Sequence, residues 1–302
     1  MGNFFTVVHS CKGPRFKLKR GPADYSMNDL ATNHDGIRTV RADNRCDFSG
    51  SSDLCICVVT WNMNGQVSYK DIEQLVGSDR EFDLLVVGLQ EAPRNNISQL
   101  LQAALVETHI LLGKAIMQSL QLYVFGQKMN SELFINAHAG NVEDRNSQYR
   151  HISRSLFYKN QNPYARPVQV TVWLGDLNYR VQGIDTHPAR NLIQKNLHRL
   201  LTRKDQLVQE AERGQIFSGY CEGTLAFKPT YKYNIGSSNY DTSYKVRVPS
   251  WTDRILFKIE DSGKISATLH SYQSIDGIHS SDHKPVKAHL CLQAIKQSPL
   301  MP

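Results

Sequence analysis

Short apolar runs bounded by polar or glycine-bearing clusters recur along the chain: Leu54–Thr60, Phe82–Leu89, Val168–Leu174, Ile255–Ile259 and Val286–Leu292. Their near-continuous apolar character predicts strands covered on both faces. Two longer stretches carry helical spacing. Ile97–Leu122 repeats Leu, Ala and Ile at helical intervals, and His187–Arg213 has Pro188 in its first turn and Gly214 just past its end. Strands mixed with outlying helices predict an α/β fold with a two-layered β core. The first ~50 residues are rich in Gly, Asn, Asp and Arg and lack periodicity, so 1–53 is expected to be a basic, weakly structured tail. One domain over 54–293 and a short C-terminal tail, 294–302, complete the expected organisation.

Composition narrows the class. A chain of 302 residues can bury about three quarters of its unfolded surface without disulfide or metal staples. The mean hydropathy of -0.42 and the lack of an ~18-residue uncharged apolar run exclude a spanning helix. No basic region precedes the first apolar residues and no cleavage site follows, so a secretory signal is not expected. Six cysteines without a CxxC pair fit neither a zinc cage nor a disulfide framework. Cys55 and Cys57 fall on one strand face and read as core thiols, which predicts a reduced, soluble, cytoplasmic protein. The net charge of +7 favours an anionic partner. Eleven Lys or Arg face two Asp between Arg145 and Lys204, and five basic residues stand between Lys12 and Arg20 without an acid. Nucleic acid, phosphorylated small molecules and anionic membrane all remain open on charge alone.

Polar groups cluster at strand ends. Val58-Val59-Thr60 runs into Trp61-Asn62, Leu84–Val87 into Gly88-Leu89-Gln90-Glu91, and Val172–Leu174 into Gly175-Asp176-Leu177-Asn178. Thr252-Asp253-Arg254 and Ser281-Asp282-His283 precede further strands. Singly, each Asp or Asn reads as a turn or cap residue. Five clusters at five strand ends instead predict one cleft, because opposite ends of antiparallel strands share a rim. Carboxylates and amides suit a hard cation such as Mg²⁺, and an Asp-paired imidazole adds a polarised donor.

These blocks, with Phe227–Lys232 and Lys245-Val246-Arg247, resemble the signature segments of inositol polyphosphate 5-phosphatases, with wording similar to plant members. The resemblance covers about Leu54 to Leu292, and the run from Lys245 to Arg254 separates this branch from nucleases of the same superfamily. It implies a DNase-I-like, four-layered αββα sandwich and Mg²⁺ held by Glu91 and Asn62, with Asp282 supporting the metal side. It implies that Asp176 deprotonates the attacking water and Asn178 holds a scissile phosphate oxygen. His283, polarised by Asp253, would stabilise the phosphoryl charge. Tyr231, Lys232, Lys245 and Arg247 would grip the neighbouring 4-phosphate, with Arg254 in the same substrate-binding set. The implied substrates are phosphoinositides or soluble inositol polyphosphates, handled by a monomer that does not bind nucleic acid.

One block departs from the family. Ala137-His138 and Arg145-Asn146 keep the family's later spacing, but Phe134 stands where its first histidine belongs, and several dozen residues are missing between Leu122 and His138. The sandwich is therefore expected to lack central strands, and His138 to neighbour the site without replacing the lost histidine. Two rival readings follow: a non-catalytic phosphoinositide-binding remnant, and a nuclease. Finally, Met1–Thr6 match the pattern for myristoylation of Gly2, which with the basic run Lys12–Arg20 predicts peripheral membrane contact.

Overall fold

Alternation along each strand decides the layering. In β3 (Asp53–Asn62), Ile56 and Val58 join the core between two sheets, while Cys55, Cys57, Val59 and Trp61 face α1 (Tyr69–Val76) and α2 (Ile97–Ala104). In β8 (Val170–Asp176), Val170, Val172 and Leu174 face the same inter-sheet core. Trp173 turns outward onto Leu207 and Ala211 of α4 (Gln206–Glu212). Both sheets are thus buried on two faces, and the layers run helix, sheet, sheet, helix. The computed structural model describes residues 2–10, 36–43, 53–77, 81–94, 96–128, 134–142, 170–260 and 262–295.

One sheet has the order β2-β9-β10-β8-β1-β7, with β2 Arg38–Val40, β9 Cys221–Gly223, β10 Asp253–Ile259, β1 Gly2–Ser10 and β7 Phe134–Val142. The other has the order β11-β12-β3-β4-β6-β5, with β11 Ile265–Ser274, β12 Val286–Ala294, β4 Leu84–Gln90, β6 Leu120–Gln127 and β5 His109–Met117. The five expected strands are β3, β4, β8, β10 and β12. β3 and β4 pair in parallel across the α1 crossover, which brings Asn62 beside Gln90 at one rim. β8 and β10 pair antiparallel, which sets Asp176 opposite Asp253 at the matching rim.

Several expectations need correction. The helix expected over Ile97–Leu122 stops at Ala104, and β5 and β6 form a hairpin from the remainder. Leu120, Leu122 and Val124 face the inter-sheet core while Tyr123 and Phe125 face the helices, a period of two that outweighs the apparent helical spacing. The helix expected over His187–Arg213 is three pieces: α3 (Thr186–Gln194), a 3-10 turn (His198–Lys204) and α4. Asn196, at φ 56, ends the first, and Asp205 caps the last by accepting from Val208 N–H. The first 53 residues are not wholly a tail, since β1 lies between β8 and β7 and β2 pairs with β9. Nor are the strand thiols all reduced. Cys55 and Cys291, cross-strand partners on β3 and β12, form a disulfide, while Cys57 is buried outside it. The basic run Lys12–Arg20, Arg145-Asn146 and the tail beyond Ile295 lie outside the described residues.

Candidate active site

Five strand ends build the cleft: those of β3, β4 and β8, and the starts of β10 and β12. Asn62 closes β3, and its buried side-chain Nδ2 donates to Glu91 Oε1 (3.1 Å) and to Asp176 Oδ2 (3.2 Å). Its Oδ1 accepts from Asn64 N–H, and Ser281 Oγ donates to its carbonyl. Glu91 follows β4 in the left-handed region at φ 48, and its carbonyl accepts from Gly65 N–H. Its carboxylate is exposed, whereas Asp176 is buried at the end of β8. Gly175, at φ 143, supplies a conformation that a side chain would oppose immediately before Asp176. Asn178, at φ 58, returns its N–H to Asp176 Oδ1. Left-handed residues on both sides of the cleft are backbone strain concentrated where side chains must be aimed.

Asp253 opens β10 fully buried. It accepts from Thr230 Oγ1 (2.7 Å), Thr252 Oγ1 (2.8 Å) and His283 Nδ1 (2.9 Å). Titratable atoms of Asp176, Asp253 and His283 lie within 4.8 Å of one another. Burial alone disfavours the His283 imidazolium, but the charge and hydrogen bond of Asp253, with Asp176 and Asp282 nearby, push it up to about 9. Burial pushes the Asp176 carboxyl up to about 6, against the pull of His283. An ionisable carboxylate beside a protonated imidazole is an acid–base pair separated by environment.

Tyr231 leads out of this centre. Its ring lies 4.4 Å from that of His283, and the Arg180 guanidinium caps it at 4.3 Å from the centroid. Arg180 also donates through Nε (2.8 Å) and Nη2 to Asn178 Oδ1. Sequence reasoning missed Arg180, Thr230 and Thr252, although Thr230 and Thr252 stand inside the motif blocks and Arg180 two residues past Asn178. Chain spacing shows neither a stacking partner nor which hydroxyls reach a carboxylate. Lys232 ion-pairs with Asp282 (3.1 Å), and its carbonyl accepts from Asp241 N–H. Lys245 and Arg247 are exposed on the loop after Asp241, whose carboxylate accepts from Arg247 N–H.

Two expected residues, Arg254 and His138, fall elsewhere, while Asp282 stays beside His283 but is already ion-paired. Arg254 is fully buried, bound through Nε and Nη2 to Glu222 (both 2.6 Å) and through Nη1 to Asp205 (2.9 Å), so it braces β10 against β9 and α4 and meets no substrate. Asp282 is neutralised by Lys232, which makes it a poorer cation ligand than Glu91. His138 is one strand removed from β8, and the β7 residue level with Asp176 through Asn3 is Asn141. Glu91 offers carboxylate oxygens, the ligand type of a hard divalent cation that keeps some of its waters, and Asn62 holds that carboxylate by donating from Nδ2 while its own Oδ1 accepts from Asn64 N–H.

Comparisons with known proteins agree with this geometry. The description "Endonuclease/Exonuclease/phosphatase family 2" matches residues 124–289. Type IV inositol polyphosphate 5-phosphatase 11 of Arabidopsis thaliana is 50% identical, covering 97% of this chain and 98% of that protein. The alignment spans 334 positions against the 302 residues here, so the relative carries residues this chain lacks. Phosphatidylinositol polyphosphate 5-phosphatase type IV of Homo sapiens is 28% identical over 81% of this chain and 47% of that protein. Among solved structures, the inositol polyphosphate 5-phosphatase domain of SPsynaptojanin, in complex with inositol (1,4)-bisphosphate and calcium ion, superposes with a TM-score of 0.66. It is 24% identical and covers 80% of this chain and 86% of that one. The ferrous NO complex of a mutant Cimex nitrophorin reaches 0.65 at 23% identity, over 80% of this chain and 99% of that one. The fold is therefore DNase-I-like, and it hosts unrelated functions, so the site must decide between them.

Proposed function

The chain belongs to the inositol polyphosphate 5-phosphatase family of the endonuclease/exonuclease/phosphatase superfamily, and from that premise we propose that it hydrolyses the 5-phosphate of phosphoinositides such as phosphatidylinositol 4,5-bisphosphate in a Mg²⁺-dependent reaction. Soluble inositol polyphosphates are the alternative substrates at the same site. The observation that carries this reading is the run from Asp176 and the Asp253–His283 pair to Tyr231 and Lys232, with the loop that bears Lys245 and Arg247 tied to it through Asp241, whose N–H donates to the Lys232 carbonyl and whose carboxylate accepts from Arg247 N–H.

Asp176, as carboxylate, accepts a proton from a water whose oxygen attacks phosphorus, the bond from phosphorus to the ring oxygen breaks, and that ring oxygen takes a proton from solvent. Protonated His283 faces the developing phosphoryl charge and is held in orientation by Asp253, which accepts from its Nδ1–H. Asn178 binds a phosphate oxygen. Glu91 and Asn62 would hold the divalent cation, which when bound neutralises phosphate charge. Peripheral membrane contact belongs to the same reading. Gly2 opens β1 and Asn3 pairs with Asp176, so acylation of Gly2 would set the lipid beside the cleft.

A second reading, a non-catalytic phosphoinositide binder, is favoured by one observation: β1 separates β7, which carries the remnant of the damaged block, from β8. Phosphate release with Mg²⁺, measured on lipid and soluble substrates in parallel, decides between them. Glu91→Gln should lower turnover more than tenfold, about 1.4 kcal/mol or more in the barrier, with an unchanged melting temperature. Turnover within tenfold of wild type rejects Glu91 as the principal ligand, and no release by wild type selects the binder.

A further inference from the structure

Beside the phosphate grip stands a loop whose apolar side chains point where a soluble substrate has no use for them. Tyr244 is 90% exposed, the most exposed large hydrophobic residue among those described, and Val246 is 41% exposed. They alternate with Lys245 and Arg247, giving the order aromatic, cation, aliphatic, cation. Ile235, 58% exposed, sits on a neighbouring turn. Asn234 ties that turn to the base of the loop, donating from Nδ2 to Thr242 Oγ1 (3.1 Å) and accepting from Thr242 N–H (3.0 Å).

The loop is held, not loose. The buried Asp241 carboxylate accepts from Ser243 N–H (2.9 Å) and Arg247 N–H (3.2 Å), and Arg190 donates to the Asp241 carbonyl. Thr186 Oγ1 donates to the Val246 carbonyl (2.8 Å), and Val246 N–H reaches the Ser243 carbonyl. These bonds hold Val246 at φ 37, a conformation that a β-branched residue adopts only under constraint. Asp241 N–H bonds to the carbonyl of Lys232, so the loop is fixed to the phosphate grip itself.

We propose that Ile235, Tyr244 and Val246 form a docking ridge for an anionic lipid bilayer, on which the enzyme rests while a membrane-held headgroup enters the cleft. A bilayer interface matches both halves of the pattern. Tyrosine places its ring at the headgroup level with its hydroxyl wet, and small aliphatic tips reach the acyl boundary. Lys245 and Arg247 meet the negative surface potential of the leaflet. The Lys245 ammonium lies 5.6 Å from the Tyr244 ring centroid, so cation and aromatic present themselves together. The inference rests on the proposed 5-phosphatase activity for its substrate, but the docking step can be read without turnover.

The test is the double variant Tyr244→Ser, Val246→Ser, beside Tyr244→Trp as a conservative partner. Vesicles of phosphatidylcholine with about one-fifth phosphatidylserine and a few per cent phosphatidylinositol 4,5-bisphosphate serve both for sedimentation and for phosphate release. Soluble inositol 1,4,5-trisphosphate is the control. The double variant should lose at least tenfold in kcat/KM on vesicles and at least fivefold in vesicle binding. It should keep its melting temperature and stay within twofold on the soluble substrate, while Tyr244→Trp keeps vesicle binding. An equal loss on both substrates, or vesicle binding unchanged in the double variant, overturns the ridge. If wild type releases phosphate from neither substrate, the activity assignment fails, and sedimentation still decides whether the ridge docks.

Discussion

Two arginines in the site motifs have opposite fates, and burial separates them. Arg254 spends its guanidinium on Glu222 and Asp205 inside the protein, whereas Arg180 fixes the amide of Asn178 and caps Tyr231. With its Oδ1 accepting from Arg180, the Asn178 side chain would meet the proposed phosphate oxygen through Nδ2–H. Arg180 is thus a positioning residue. His283 shows the same dependence on neighbours through charge. Burial disfavours its protonated form, and Asp253 reverses that, up to about 9. Activity that requires the imidazolium should persist below that pH and fall as pH rises through it. Asp253→Asn removes the opposing charge, so the alkaline limb of kcat/KM should move to lower pH by more than one unit. A limb that stays in place rejects His283 as the group titrating there. The site's acids, amides and imidazole were legible in the sequence because each stands at the end of an apolar run. The role of Arg254 was not, because its partners lie 32 and 49 residues away and only the fold joins them.

Strands buried on both faces announced themselves, since β3, β4, β8, β10 and β12 have few polar interruptions. The β5–β6 hairpin did not. Leu, Ala and Ile spaced through 97–122 satisfy a helical period on paper, and only the inter-sheet core reveals the alternation at Leu120, Leu122 and Val124. β11 escaped notice because its pattern mixes exposed and half-buried positions at a sheet edge. The hairpin turn carries a local mark of this conflict, since Gln118 sits at φ 54 without being glycine. Glycine enters that region without the steric cost, roughly 1–2 kcal/mol, that a side chain meets there. Gln118→Gly should therefore raise stability by about 0.5–1 kcal/mol after its larger unfolded-state entropy is offset. A denaturant midpoint that is unchanged or lower would show that the turn relaxes differently.

Across the whole molecule, the question is how the sheet that carries Asp176 is completed when the Arabidopsis relative aligns over 334 positions, 32 more than this chain has. The sheet that carries Asp176 nevertheless has six strands, because β1 from the N-terminus pairs antiparallel with β8 on one side and β7 on the other. Nine register pairs with β7 and seven with β8 hold it, and Asn3, Asp176 and Asp253 form one row across three strands. Without β1, the backbone of β8 would lose its ladder along the edge nearest the Asp176 carboxylate, a row of unpaired groups that proteins elsewhere cover or charge. A segment read from composition as tail therefore supports the site. Deletion of residues 2–10 should lower the melting temperature by several degrees, more than about 1 kcal/mol for a domain of this size, and reduce phosphate release at least tenfold. A synthetic peptide spanning Gly2–Ser10, added in excess, should restore part of both by strand addition. Full activity and an unchanged melting temperature in the truncated chain would show that β8 does not depend on the N-terminal strand. A loss that the peptide does not repair would place the effect in folding and not in strand pairing.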